Sequence, residues 1–413
     1  MKININNSYI NLILLFPLFT LFQSYIGPIN KILFILLMTV QMTMYLRRGI
    51  SARFFALLSI VMLMECIALF STSFPLQSIN DIFYFPFIVI FYNFICENGA
   101  FFYDLAVKNI KSIKRIIYLW SFFIVVSIAF PLSYTQVWGG GTYFASFTGD
   151  PFRLCPTAFY ILALILMVMM IEKNRKMFWF SIIPMFCFFS SGSRTYLLVG
   201  LLLFLIVWYK FFYNKHMFCL SLLPLVLLFL VFLVNSSMMQ KIAATSYSSN
   251  SYFDLWGTVT SGRSIFWEAD INAFRNGSLW NKLLGFGFNF VYEVNKTAIG
   301  AKIWAHNDFI QLLLTYGVLG ILLYLKVIYS LFRRRLWKMS EKKWVVYLVF
   351  FIWFFTANMN MFYTYLCTVL GYVFLIESLT KIKQTDEENE ESVEWKKSYY
   401  QLLYQFITLR LNM

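Results

Sequence analysis

Three residues far apart in the sequence carry the chemistry this chain could do. His306 stands in Trp304-Ala305-His306-Asn307-Asp308, where a long polar stretch gives way to an apolar run. Its imidazole is the side chain with an unperturbed pKa closest to neutrality, fit to take a proton from a hydroxyl. Position alone serves equally well for a helix start whose residues merely cap backbone amides. Arg194 lies in Ser190-Ser191-Gly192-Ser193-Arg194-Thr195 at the mouth of another apolar run. A guanidinium there must snorkel, pair with an acid or bind an anion, and anchoring is its commoner use. Arg263, in Ser261-Gly262-Arg263-Ser264, sits near a helix start that Ser261 would cap, and free N–H groups at such a start also favour anions. Two guanidinium groups together suit a diphosphate through bidentate contacts, although each alone is a weak signal. Arg153, in a second polar loop, joins them on charge alone.

Other chemistries lack their parts. Glu268-Ala269-Asp270 has a spacing that keeps the two acids off one helix face, so a solvated surface is expected there, not a metal site. Gln23 to Asn30, the first polar turn, holds no carboxylate for a divalent cation. Gly285-Phe286-Gly287 is half a dinucleotide fingerprint without a strand–helix unit around it, and reads as a turn between loop helices. The glycines at 139–141 lack nucleotide-loop spacing, and no GxSxG elbow is present. Cys66, Cys96, Cys155, Cys187, Cys219 and Cys367 form no metal pattern and read as small buried hydrophobes. His216, beside Lys215 at the edge of an apolar run, fits an interfacial role.

The elements that must position these residues are membrane helices. Of 413 residues, 60% are hydrophobic, 21% aromatic and 13% charged, which excludes a water-soluble enzyme. Apolar runs occur at 8–23, 28–46, 54–71, 79–96, 116–133, 154–171, 177–190, 195–212, 216–234, 309–332, 344–357 and 361–379. They read as about twelve transmembrane helices, since they are continuous where barrel strands alternate. The run at 177–190, short and carrying Pro184, is the weakest of them. The expected fold is an all-α polytopic membrane bundle.

A net charge of +15 points here to topology, not to nucleic acid. Arg47, Arg48 and Arg53, the Lys108–Arg115 cluster, Lys173 to Lys176, Lys210, Lys215 and Arg333 to Arg335 fall on one side if the N-terminus is cytoplasmic. Both termini are then inside. The chain divides into a bundle at 1–234, a long extracytoplasmic loop at 235–307, closing helices at 308–380 and a cytoplasmic tail at 381–413. The loop should contain short helices, one of them running through Arg263, Phe266, Trp267, Asp270 and Phe274. In the tail, an acidic run from Asp386 to Glu394 precedes an interfacial helix carrying Trp395, Tyr399 and Phe406.

The order of four features resembles the O-antigen polymerase and ligase superfamily. They are Ser-Gly-Ser-Arg194, then Ser-Gly-Arg263 followed by Trp267, then Leu284-Gly285-Phe286-Gly287, and Ala-His306-Asn307-Asp308 leading through Gln311 into Gly317 and Gly320. The resemblance covers roughly 186 to 326. It implies a bacterial, metal-independent, cofactor-free glycosyltransferase of the GT-C type, working in the plasma (inner) membrane. The donor would be an undecaprenyl-pyrophosphate-linked oligosaccharide, met at the outer face. Arg194 and Arg263 would lie near the pyrophosphate and His306 at the acceptor hydroxyl as general base, with Trp267, Asn307, Asp308 and Arg153 around the substrate. Membrane lipids, a chain-length regulator and a flippase are the partners expected, with no nucleic acid.

Polymerase and ligase differ only in acceptor, which is another lipid-linked repeat or lipid A core, and the Leu-Leu-Gly-Phe-Gly segment looks closer to the polymerase branch. The competing class is a non-enzymatic exporter, for which Glu65 and Lys326 would be the intramembrane ionisable residues.

Overall fold

The computed structural model describes residues 4–27, 29–72, 80–137, 141–212, 215–234, 262–332, 336 and 343–380. Ser261, Trp138, Gly139, Gly140, Arg333 to Arg335 and the tail from 381 lie outside them. The helices are α1 (Ile5–Leu21), α2 (Gln23–Ile26), α3 (Ile29–Arg48), α4 (Ala52–Ser71), α5 (Asn80–Lys108), α6 (Ile110–Ile128), α7 (Pro151–Glu172), α8 (Ile182–Ser190), α9 (Arg194–Phe211) and α10 (Lys215–Val234). From residue 263 onward follow α11 (Arg263–Asn276), α12 (Leu279–Leu284), α13 (Phe290–Ile299), α14 (Asp308–Leu331), α15 (Lys343–Met359) and α16 (Leu366–Thr380). Among the described residues, 6 helices are long and apolar enough to cross a membrane, with α1, α15 and α16 shorter and also apolar. The chain is an α-helical, multi-pass membrane protein.

Its axis is α7, apolar all round and therefore enclosed by neighbours. Asp150 caps it through the amide of Phe152 at 2.9 Å, and Pro151 occupies the first turn, where no amide is missed. Helices α1, α6, α8 and α9 pack around it. The weak run near Pro184 is a composite of 7 residues of 3-10 helix (Arg175–Ser181) and the 9 residues of α8. At their respective rises the pair reaches about 28 Å, close to the thickness of the hydrocarbon core. Pro184 falls in the first turn of α8 and breaks nothing.

One departure from an all-helical fold is a hairpin, β1 (Tyr134–Val137) paired antiparallel with β2 (Gly141–Phe144), Tyr134 opposite Phe144. Aromatic and β-branched residues in the two strands, on either side of a glycine-rich stretch of sequence, explain it. Two of the cysteines also differ from expectation. Cys155, Cys187 and Cys367 are buried, but Cys66 and Cys219 are exposed on apolar helix faces.

Helix α14 is broken at Gly317, whose φ of 67 and ψ of −165 leave the helical region. The carbonyls freed by the break are taken by the loop, because Phe286 N–H donates to Leu314 at 2.7 Å and Gly287 N–H to Thr315 at 3.3 Å. Non-helical backbone at this depth survives only when protein satisfies it. The contact tolerates no side chain. A Cβ on Gly285 would lie 2.2 Å from the Thr315 carbonyl oxygen, and one on Gly317 would lie 2.4 Å from Leu283 backbone. The Leu-Gly-Phe-Gly turn and the Gly317 break, which sequence presents as separate motifs, are two halves of one joint.

Gly317→Ala and Gly285→Ala should each destabilise the protein by about 3 kcal/mol or more, through backbone strain plus overlap. Gly300→Ala is the control: it shares a positive φ of 75 but has nothing within 4 Å, and should cost only about 1–2 kcal/mol. Thermal unfolding in detergent measures the three; equal melting temperatures would refute the joint.

Candidate active site

Helix α11 lies over the start of α14 and against α13. It holds one loop core through Phe266 and Trp267, which pack with Val291, Ala305 and Ile310. The Trp267 indole N–H donates to the Ala305 carbonyl at 2.5 Å, and the Ala305 amide donates to Gln311 Oε1 at 3.3 Å. On the other side of His306, Asn307 caps α14, accepting from Phe309 N–H at 3.0 Å and Ile310 N–H at 3.3 Å. His306 is thus clamped on both flanks in a left-handed conformation, φ 50. A histidine in that region is uncommon and costs strain that its surroundings must hold. The cap at the helix start belongs to Asn307, which leaves the His306 ring for other use.

The three singled-out residues come together. The Arg263 charge acts on His306, and that of Arg194 acts on Arg263. Burial lowers Arg263 to about 10; Tyr365 opposes this in part, and the positive charge of Arg194 adds a smaller lowering. It remains a cation at neutral pH. No carboxylate lies within ion-pair distance of it among the described residues. Arg194 opens α9 after Gly192, whose φ of 67 and close approach to the Tyr143 ring exclude a side chain; the ring carbons lie 2.5 Å from where a Cβ would stand. The β2 strand therefore sets where α9 begins, and its Tyr143 faces Arg194. Two like charges held close form a site that an anion would relieve.

Burial, and secondarily Arg263, lowers His306 to about 3. The imidazole is neutral at physiological pH, hence able to accept a proton, but it is a far weaker base than an ordinary histidine. This departs from the near-neutral value that its residue type alone suggests.

His306 faces a cavity of about 840 Å³, within the roughly 300–1,000 Å³ of ligand pockets. Arg153 lines the same cavity and pairs with Asp150 at 3.7 Å. Tyr365, also on its wall, lies within electrostatic reach of both Arg263 and Arg153. Lys302, bonded to Glu293, completes that side. The opposite wall comes from α1, α3 and α5, with exposed Ile35 and Phe83 at its rim. Arg194 and Arg263 are not among the cavity's lining residues; Arg263 acts electrostatically on His306 and Tyr365, which are. Trp267, Asn307 and Asp308 hold backbone in place: Asp308 is buried and accepts from the Tyr324 hydroxyl at 2.7 Å.

Sequence reasoning missed Tyr365, Asn30 and Asn360 on the cavity wall; they sit in or beside apolar runs and carry no local signal. It also misjudged Asp270, expected on a solvated surface. Glu268 is exposed, as the spacing requires, but Asp270 is fully buried with both carboxyl oxygens unpartnered among the described residues. Burial pushes its pKa up to about 8, so it is largely protonated near neutrality. The amphipathic face of α11 turns inward at 266, 267, 270 and 274 because it packs on protein, not water.

These positions can be set beside known proteins. Residues 177–325 match the O-antigen ligase family model. The match supports the O-antigen ligase and polymerase superfamily for this chain, whose members are glycosyltransferase-like enzymes acting on lipid-linked glycans. It encloses Arg194, Arg263 and His306, along with the joint between the glycine turn and α14. Helices α1 to α7, α15 and α16, which build most of the cavity wall, fall outside it. A comparison with curated proteins gave no match.

The neutral state of His306 can be measured directly, since the chain has 2 histidines. In a His216→Gln background the remaining imidazole nitrogen signals should stay neutral down to about pH 4, titrating near pH 3. Arg263→Gln should raise the midpoint, short of 6.5 because burial is the larger cause. Midpoints near 6.5 in both proteins would refute the arrangement.

Proposed function

We propose that the protein is a polysaccharide polymerase that joins undecaprenyl-pyrophosphate-linked repeat units at the outer face of the bacterial plasma membrane, with both termini cytoplasmic. The observation that supports this reading is the electrostatic chain from Arg194 through Arg263 to His306, the last of which lines one large cavity. In the proposed step the acceptor hydroxyl oxygen attacks the anomeric carbon of the donor. The new C–O bond forms as the bond to the diphosphate breaks, the bonding pair leaves with the diphosphate, and the hydroxyl proton passes to His306. Arg194 and Arg263 would take up the leaving charge, so the step is written without a metal.

The electrostatics suggest an order of events. With the site empty, Arg263 depresses the basicity of His306. A diphosphate bound to the arginines would cancel that effect and restore the imidazole as a base only when the donor is present. Trp267, Asn307 and Asp308 would then act on substrate through the His306 backbone.

Ligase activity is the second reading, favoured by the description of the matching family; it uses the same donor chemistry with lipid A core as acceptor. Of the two residues an exporter would use, Glu65 Oε1 accepts from the Tyr316 hydroxyl at 2.8 Å within the packed bundle, while Lys326 lies exposed along α14. They do not form one translocation site.

Protein in nanodiscs, given lipid-linked repeat alone, should build a ladder of longer glycans. His306→Ala should reduce the rate by about 10²–10⁴-fold, and Arg263→Lys by tenfold or more, since an ammonium lacks the guanidinium fork. Elongation only after lipid A core is added would mean ligase. Undiminished transfer by His306→Ala would overturn the role of the base.

A further inference from the structure

The cavity holds polar groups that the transfer step does not use. Asn360, at 1% exposure just past α15, lines it with a side-chain Nδ2 that has no hydrogen-bond partner among the described residues. Asn30, at the start of α3, lines the same cavity. Its amide is fixed: Nδ2 donates to Gln23 Oε1 at 2.9 Å and to Thr20 Oγ1 at 3.2 Å, leaving a buried Oδ1 without a partner. Most buried polar groups are satisfied, and an unmet one costs roughly as much as a lost hydrogen bond, so two residues of one cavity wall that each carry such an atom call for an explanation.

Taken together, they offer one donor and one acceptor, both uncharged. Phosphate is poorly served by such a pair; of the cavity's cations Arg153 and Lys302 come from other segments, and Lys31 alone adjoins Asn30 in the chain. A polyprenyl chain would leave both amides unmet. A sugar hydroxyl is donor and acceptor at once, and the aromatic rings of Tyr84, Trp304 and Tyr365 on the same wall offer faces for a pyranose. We infer that Asn30 and Asn360 form the glycan subsite of the cavity, reading hydroxyl groups of the neutral saccharide while the arginines hold the diphosphate. The inference rests on the transferase reading above. Both residues lie outside 177–325, so the matched domain would supply the chemistry and the flanking helices the choice of sugar.

The test compares two probes on wild-type protein, Asn360→Leu and the double variant with Asn30→Leu, all in nanodiscs. One probe is sugar-free undecaprenyl diphosphate; the other is the lipid-linked repeat extracted from the parent cells. Asn360→Leu removes an unsatisfied amide in favour of an apolar group, so its melting temperature should hold or rise. Its affinity for the sugar-free carrier should stay within about twofold, while that for the glycan-bearing lipid falls roughly three- to tenfold, and further in the double variant. Equal changes for both probes, or none for either, would overturn the subsite and leave the amides to buried water. Those results beside intact glycan transfer by wild type sink the subsite alone. Absence of any new glycosidic bond from wild type sinks the transferase reading beneath it.

Discussion

The structure depends on a break in one membrane helix being made good by a loop. Where α14 departs from helical geometry at Gly317, the carbonyls of Leu314 and Thr315 need donors, and the amides of Phe286 and Gly287 are placed there. Water is not at hand to do this within the bilayer. The same contact therefore decides where α12 ends, where α13 begins and how the loop lies over the bundle. Phe288 N–H extends the seam to the end of α4, donating to Thr72 Oγ1 at 3.0 Å. From this seating follows the position of α11, and from α11 the clamp on Ala305 that fixes His306.

The electrostatic character of the site follows from that placement. Two guanidinium groups and an imidazole share a partly dehydrated region, where like charge is costly and an anion welcome. The protein keeps the imidazole neutral and the arginines cationic. In the proposed reading the site thus carries the charge state for a diphosphate before that ligand arrives. In the proposed reaction such preorganisation is the main catalytic device, because the leaving group is already activated and needs its charge received.

Much of this was legible in the sequence, for identifiable reasons. Continuous apolar runs gave the helices, since a bilayer demands length and hydrophobicity from each segment by itself. Arg194, Arg263 and His306 stood out because charge or imidazole beside such a run needs justification. What stayed hidden was relational. Asp270 looked like a surface acid because nothing local reports that α11 packs on protein. Gly285 and Gly317 each looked like punctuation, and only their contact shows them to be a joint. Asn30 and Asn360 are separated by nearly the whole chain, and no local pattern signals that they share a wall.

The central claim is that the arginine pair holds a lipid diphosphate while its glycan occupies the cavity beside His306. An electron cryomicroscopy structure with undecaprenyl diphosphate bound in nanodiscs tests this most directly. The account predicts phosphate density between the guanidinium groups of Arg194 and Arg263, with the polyprenyl chain leaving past Ile35 and Phe83. Phosphate density at a remote surface, with the arginine pair unchanged and empty under saturating lipid, would contradict it.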